Sequence, residues 1–92
     1  FFTTIGDGAK EKAFELVRKL RDDGISSDMD HVGRSLKAQF KYADKLGARF
    51  VGTLGDEELA SEQLKLKEMA TGQEALVSFD QIGSYIRDKE EL

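Results

Sequence analysis

The hydrophobic pattern of this chain switches repeatedly between the spacing of a strand and the spacing of a helix, and this alternation limits the fold more than any other feature of the sequence. Runs rich in β-branched or alternating apolar residues predict strands, and apolar residues three and four positions apart predict helices. The predicted strands are residues 1–5, 25–32, 49–54, 63–69 and 74–79. The predicted helices are residues 9–21 and 33–46, one turn at 56–60, and a last helix that follows Asp80.

The order of these elements predicts an α/β protein with a five-stranded mixed sheet. Helical crossovers join parallel strands and tight turns join antiparallel ones. The expected strand order is therefore 2-1-3-4-5, with strand 4 antiparallel to the others. Helices on both faces of the sheet give a three-layer α/β/α sandwich. The 92 residues have room for a single domain of this kind, which we assign to residues 1–92.

The composition excludes most kinds of catalytic or metal site. The chain has no cysteine and only one histidine, His31, so a thiolate or histidine zinc site is not expected. The phosphate-binding and dinucleotide-binding glycine patterns are absent. Ser35 follows Gly33 by two residues, but Lys37 stands where a nucleophile elbow needs its second glycine, so Ser35 is predicted to cap the second helix instead. No apolar run reaches the roughly 18 residues of a membrane span, so we expect no membrane contact. The absence of cysteine is compatible with a reducing cytoplasm, where we expect the domain to be located.

Charge points to one helix as a possible binding surface. The net charge of −4 argues against a sequence-blind nucleic-acid binder, so any RNA contact must come from a local basic patch. The second helix carries such a patch, opposite an apolar face that includes Leu36, Phe40 and Ala43. An ordinary solvated helix face is the alternative. At about 100° per residue the cations of the patch fall within roughly 80° of one another; they are Arg34, Lys37, Lys41 and Lys45.

Two segments resemble a known family. Residues 33–48 read G-R-S-L-K-A-Q-F-K-Y-A-D-K-L-G-A and closely resemble the C-terminal domain of bacterial-type histidyl-tRNA synthetases. Residues 64–73 read L-K-L-K-E-M-A-T-G-Q and resemble the hairpin of that domain. The resemblance extends from the first strand to about residue 79 and implies the anticodon-binding fold of class II synthetases. We therefore interpret residues 1–92 as a fragment of a longer synthetase.

The resemblance also implies a function. The longer chain would activate histidine with ATP and attach it to its tRNA, with ATP and Mg²⁺ held in a separate catalytic domain. The parent enzyme would be a homodimer. This domain would carry no catalytic residue, metal or cofactor of its own, and its partners would be the anticodon loop of histidine tRNA and the catalytic domain of the same chain.

The same resemblance assigns the site. In related synthetases the anticodon bases are contacted from the start of the second helix, the loop after the third strand and the fourth strand. Ala38 stands where the family often has lysine, which weakens the basic surface slightly. Arg34 is expected to be the cation best able to reach a base, because its planar fork can bond a base edge or stack. The implied contact residues are Gly33, Arg34, Lys37, Gln39, Lys41, Glu58 and Lys67.

Two other functions remain open on the sequence. Regulatory proteins resemble the same synthetases, namely the regulatory subunit of ATP phosphoribosyltransferase and the synthetase-like domain of a stress-responsive kinase. An unrelated α/β protein–protein module is the other alternative. The retention of Arg34, Lys37, Lys41 and Lys67 favours tRNA binding over a regulatory role.

Overall fold

The computed structural model describes residues 1–90 and contains four strands and four α-helices within them. The strands are β1 (Phe2–Thr4), β2 (Phe50–Leu54), β3 (Gln63–Glu68) and β4 (Glu74–Ser78). The helices are α1 (Asp7–Asp22), α2 (Leu36–Lys45), α3 (Asp56–Ser61) and α4 (Ile82–Glu90), and a 3₁₀ turn at Phe79–Gln81 precedes α4.

The strands form one mixed sheet in the order β1-β2-β3-β4. β1 and β2 are parallel because a helical crossover joins them, and β3 is antiparallel to both β2 and β4 because short connections join these strands. The predicted α/β class, the relative order of these four strands and the antiparallel direction of β3 are confirmed.

The second of the five predicted strands, residues 25–32, is wrong. In this segment a single parallel bridge joins Met29 to Phe2, beside β1 where the strand was expected. Local side-chain bonds account for the difference: the Met29 amide donates to Asp28 Oδ1 at 2.8 Å, and Asp30 binds the Arg34 amide at 2.9 Å. Aspartate side chains that bind nearby amides favour turns over a regular ladder. The sheet among residues 1–90 therefore has four strands.

The hydrophobic core lies between one face of the sheet and the helices α1 and α4. Leu16 and Leu20 of α1 and Ile82 of α4 belong to this core, as the helical spacing predicts. Gly52 of β2 faces the same core, and a Cβ atom there would lie 2.9 Å from a methyl carbon of Leu64. The absence of a side chain at position 52 thus allows the two strands to pack closely under the helices.

The opposite face of the sheet is only half covered. Helix α2 lies against β1, with Gln39 and Ala43 buried beneath it. Beyond α2, the strands β3 and β4 leave Lys65 and Leu76 exposed, Leu76 to 63%. The three-layer arrangement is confirmed, with one open area on its α2 side. No helix within residues 1–90 is both long enough and apolar enough to cross a membrane.

Candidate nucleic-acid interface

The open area forms a groove, here called the sheet groove, that runs over β2, β3 and β4 and is bounded by α2 and α3. Its lining combines apolar side chains with hydrogen-bonding groups of both kinds. The lining residues include Phe40, Val51, Glu58, Gln63, Lys67 and Leu76.

Two of the predicted contact residues, Glu58 and Lys67, meet in this groove. Alternation along β3 turns Leu64 and Leu66 into the core and Lys67 to the opposite face. Helix α3 follows β2 directly and brings Glu58 to the same face, where it is half-buried. A carboxylate accepts hydrogen bonds and an ammonium donates them, so the groove offers both partners that the edge of a base requires.

Lys37 and Lys41, the predicted lysines of α2, are both exposed, and neither lines the groove itself. Neither Lys37 nor Lys41 forms an ion pair with any residue the structure describes. Lys37 is three residues before Phe40 and therefore shares its flank of the helix, next to the groove. Lys41 points away from the sheet, opposite the buried side of α2. Exposed ammonium groups such as these can neutralise phosphates of a polyanion.

The interpretation of Gln39 as an RNA contact is wrong, because the side chain is 1% exposed. Its carboxamide oxygen accepts from the Thr4 amide at 2.7 Å, and its Nε2 donates to the carbonyl oxygens of Thr4 at 2.9 Å and Arg34 at 2.7 Å. Both amide donors are used inside the protein. Gln39 thus pairs with the edge of β1 much as the backbone of a neighbouring strand would, and it compensates for the missing fifth strand.

Arg34 belongs to the segment that precedes α2. Its side chain packs on Tyr42, on the flank of the helix opposite Phe40. Helix α2 begins at Leu36, later than predicted, and Ser35 is its N-cap, accepting from the Ala38 amide at 3.3 Å as expected. Gly33 precedes this segment with a φ of +70°, a conformation that glycine adopts readily. Arg34 is absent from the residues that line the groove. The structure therefore separates Gly33 and Arg34 from Glu58 and Lys67.

The guanidinium of Arg34 is engaged within the protein. Its Nη1 donates to Asp30 Oδ1 at 2.6 Å, and its guanidinium carbon lies 4.3 Å from the ring centroid of Tyr42. The side chain remains 36% exposed. The expectation that Arg34 is the cation best able to reach a base is not supported, since a ligand must compete with Asp30 and Tyr42 for it.

Asp30 is a structural residue that the sequence analysis missed. Burial raises the pKa of its carboxyl group, but hydrogen bonds from the amides of Arg34 and Gly33 and the charge of Arg34 outweigh burial and hold the pKa below its ordinary value. The carboxylate is thus charged at neutral pH and compensated by Arg34. The sequence feature that could have indicated this ion pair is the position of Asp30 four residues before Arg34.

Phe40 was also missed. The pattern predicts it on the buried face with Leu36 and Ala43, but it is only half-buried and lines the groove. The helix is rotated so that Gln39, rather than Phe40, lies at the centre of the buried face. The Lys67 ammonium lies over the Phe40 ring, 6.0 Å from its centroid. The sequence pattern does not predict this rotation, because a polar residue such as glutamine is expected on the exposed face of a helix.

Comparison with known proteins shows the family to which this mixed α/β fold belongs. The family of anticodon binding domains matches residues 2–89, and the chain belongs to this family. Within it, the chain is similar to histidine–tRNA ligases. It is 49% identical over 88 residues to that of Caldanaerobacter subterraneus subsp. tengcongensis, covering 96% of this chain and 21% of the relative. It is 43% identical over 89 residues to that of Caldicellulosiruptor bescii, covering 97% of this chain and 21% of the relative.

Solved structures give the same result. The apo histidyl-tRNA synthetase of S. aureus superimposes with a TM-score of 0.89 at 39% identity, covering 92% of this chain and 22% of that one. The histidyl-tRNA synthetase of Nostoc sp. PCC 7120 gives a TM-score of 0.87 at 25% identity, covering 96% of this chain and 21% of that one. The predicted family resemblance is confirmed, and the chain spans about a fifth of the length of these relatives.

Proposed function

We propose that this domain reads the anticodon loop of histidine tRNA as part of a longer histidine–tRNA ligase. The observation that carries the proposal is that Glu58 and Lys67 line one groove, with the exposed Lys37 on the flank of α2 next to it. The similarity to histidine–tRNA ligases supplies the identity of the tRNA. The ligase reaction, with ATP and Mg²⁺, would take place in a catalytic domain of the longer, homodimeric and cytoplasmic chain.

The two parts of the proposed interface contact different parts of the RNA: the α2 lysines contact phosphates, and the groove contacts bases. Lys37 lies on the flank of α2 next to the groove and Lys41 on the outer face of the same helix, where both attract the phosphates of the loop and make binding depend on salt. Single-stranded loop bases can turn outward and expose their edges. In the groove Glu58 accepts from an amino or imino group, and Lys67 donates to a carbonyl oxygen or ring nitrogen. A base with the reverse pattern leaves both side chains without partners, which disfavours the wrong anticodon.

The regulatory alternative gains no support from the comparisons, since the relatives reported above are named as histidine–tRNA ligases. The open groove and the free lysines are also what RNA binding requires. We therefore retain the tRNA-binding function as the proposal.

Binding to a fluorescent anticodon stem-loop of histidine tRNA tests the proposal, with a stem-loop of changed anticodon as the comparison. We expect weak, salt-dependent binding that favours the cognate loop. Lys67→Ala and Glu58→Gln should reduce this preference about tenfold, since a lost charged hydrogen bond typically costs that much.

Lys19→Ala is the matched control, because Lys19 is exposed on α1 at the opposite face of the sheet. Equal losses from the changes at Lys19 and Lys67 would contradict the assignment of the groove. Equal affinity for both stem-loops would contradict anticodon reading.

A further inference from the structure

We infer that Phe40 is a stacking platform for one unpaired base, so that the sheet groove holds this base by its face as well as by its edge. The inference rests on the proposed function of the groove and adds the kind of contact made there. It starts from the ring of Phe40, which lines the groove instead of entering the core.

The face of the ring, not its edge, is turned toward β3. The Lys67 ammonium lies over this face, 6.0 Å from the ring centroid. A cation–π contact at such an open site is weak, so a flat base can take the place of the ammonium against the ring. The flexible stem of Lys67 then allows its ammonium to move to the edge of the same base.

The surroundings of Phe40 fit a base better than a phosphate or a sugar. Leu76 is 63% exposed within the groove and offers apolar contact area, while Val51 is buried and forms the floor of the groove. Glu58 and Lys67 supply polar groups at the margin. Apolar surfaces against the faces and hydrogen-bonding groups at the edge are how proteins hold an unpaired base. The neighbouring α2 cations favour a polyanion over a peptide as the molecule that carries this aromatic group.

Of the two aromatic residues of α2, Phe40 has the less closely covered ring, since the Lys67 ammonium lies 6.0 Å from its centroid. The ring of Tyr42 is already covered by the guanidinium of Arg34 at 4.3 Å and meets Phe1 edge-on at 5.8 Å between centroids. A base can therefore stack on Phe40 without breaking an internal contact other than the one with Lys67.

A stem-loop in which 2-aminopurine replaces each unpaired base in turn tests this inference, because the fluorescence of 2-aminopurine falls when it stacks on an aromatic ring. We expect quenching at one loop position with the unchanged protein and with Phe40→Tyr. Phe40→Leu should abolish the quenching and weaken binding about tenfold, in the range measured for loss of one base–aromatic contact. Phe14→Leu is the matched control, since Phe14 is 61% exposed on α1, at the other face.

The outcomes separate the two proposals. Cognate binding with unchanged quenching and affinity in a folded Phe40→Leu protein would overturn the stacking inference and leave the proposed function intact. Failure of the unchanged protein to prefer the cognate loop would overturn the proposed function. If Phe40→Leu does not fold, the unchanged protein still decides, because the absence of quenching at every loop position overturns the inference.

Discussion

The buried carboxylate of Asp30 accepts two hydrogen bonds from Arg34, one from its backbone amide at 2.9 Å and one from its guanidinium at 2.6 Å. The carbonyl oxygen of Arg34 in turn accepts from Gln39, whose carboxamide also binds Thr4 of β1. A continuous series of bonds thus joins the loop before α2, the helix itself and the edge of the sheet. This series fixes the rotation of α2, and with it the positions of Lys37 and Phe40 at the groove.

Replacing Asp30 with asparagine should destabilise the fold. The change keeps the size of the side chain but removes the charge that compensates Arg34, and a lost hydrogen bond to a charged group costs about 1.5–3 kcal/mol. Urea unfolding measures the change in the free energy of unfolding. Asp44→Asn, at an exposed position of α2, is the control and should have little effect. Similar losses from the two variants would show that the Asp30–Arg34 pair contributes nothing specific.

The stability of the domain should fall in acid because of Asp30. Its pKa in the folded protein lies below the ordinary value of 3.8, so its contribution is complete above that value and is lost as the pH falls through the folded pKa. Denaturant unfolding at a series of pH values from neutral to below 3.8 measures this dependence. Asp30→Asn should flatten the acidic part of the curve, and an equally steep fall in the variant would assign the acid sensitivity to other groups.

Replacing Gln39 with glutamate should weaken the fold without removing a contact to RNA. Glutamate cannot donate to the Thr4 and Arg34 carbonyl oxygens, and it places a charge where the side chain is 1% exposed. We expect a loss of about 3 kcal/mol or more in the free energy of unfolding. Glutamate can still accept from the Thr4 amide, but its carboxylate would face the carbonyl oxygens of Thr4 and Arg34, which repel it. We therefore expect the side chain to leave this site and amide hydrogen exchange at Thr4 to increase. Gln81→Glu, at an exposed site, is the control. Unchanged exchange at Thr4 would contradict the role of Gln39 at the sheet edge.

Removing the α2 lysines should reduce the salt dependence of RNA binding. For single-stranded RNA each neutralised phosphate contributes roughly 0.7 to the slope of log affinity against log salt concentration. The double variant Lys37→Ala, Lys41→Ala should therefore lower the magnitude of the slope by about 1.4. Titrations of the anticodon stem-loop at several salt concentrations measure it, with Lys19→Ala as the control. A slope that does not change would place the phosphates elsewhere.

The sequence by itself determined the elements whose pattern depends on near neighbours. The alternation of Leu64 and Leu66 with Lys65 and Lys67 predicted both the strand and its two faces, because side-chain direction in a strand follows from position alone. The apolar spacing of α1 predicted its buried face in the same way, and the segment 33–48 was sufficient to indicate the family.

Only the tertiary structure decided which groups meet across the domain. Residues 25–32 have the composition of a strand, but their aspartates bind local amides and leave one bridge. The rotation of α2 depends on Gln39 reaching Thr4, 35 residues earlier in the chain. Such bonds join residues that no local period relates. The sequence therefore predicted which residues are cationic. The fold brings Lys67, Glu58 and Phe40 into one groove, and Asp30 holds Arg34 away from it.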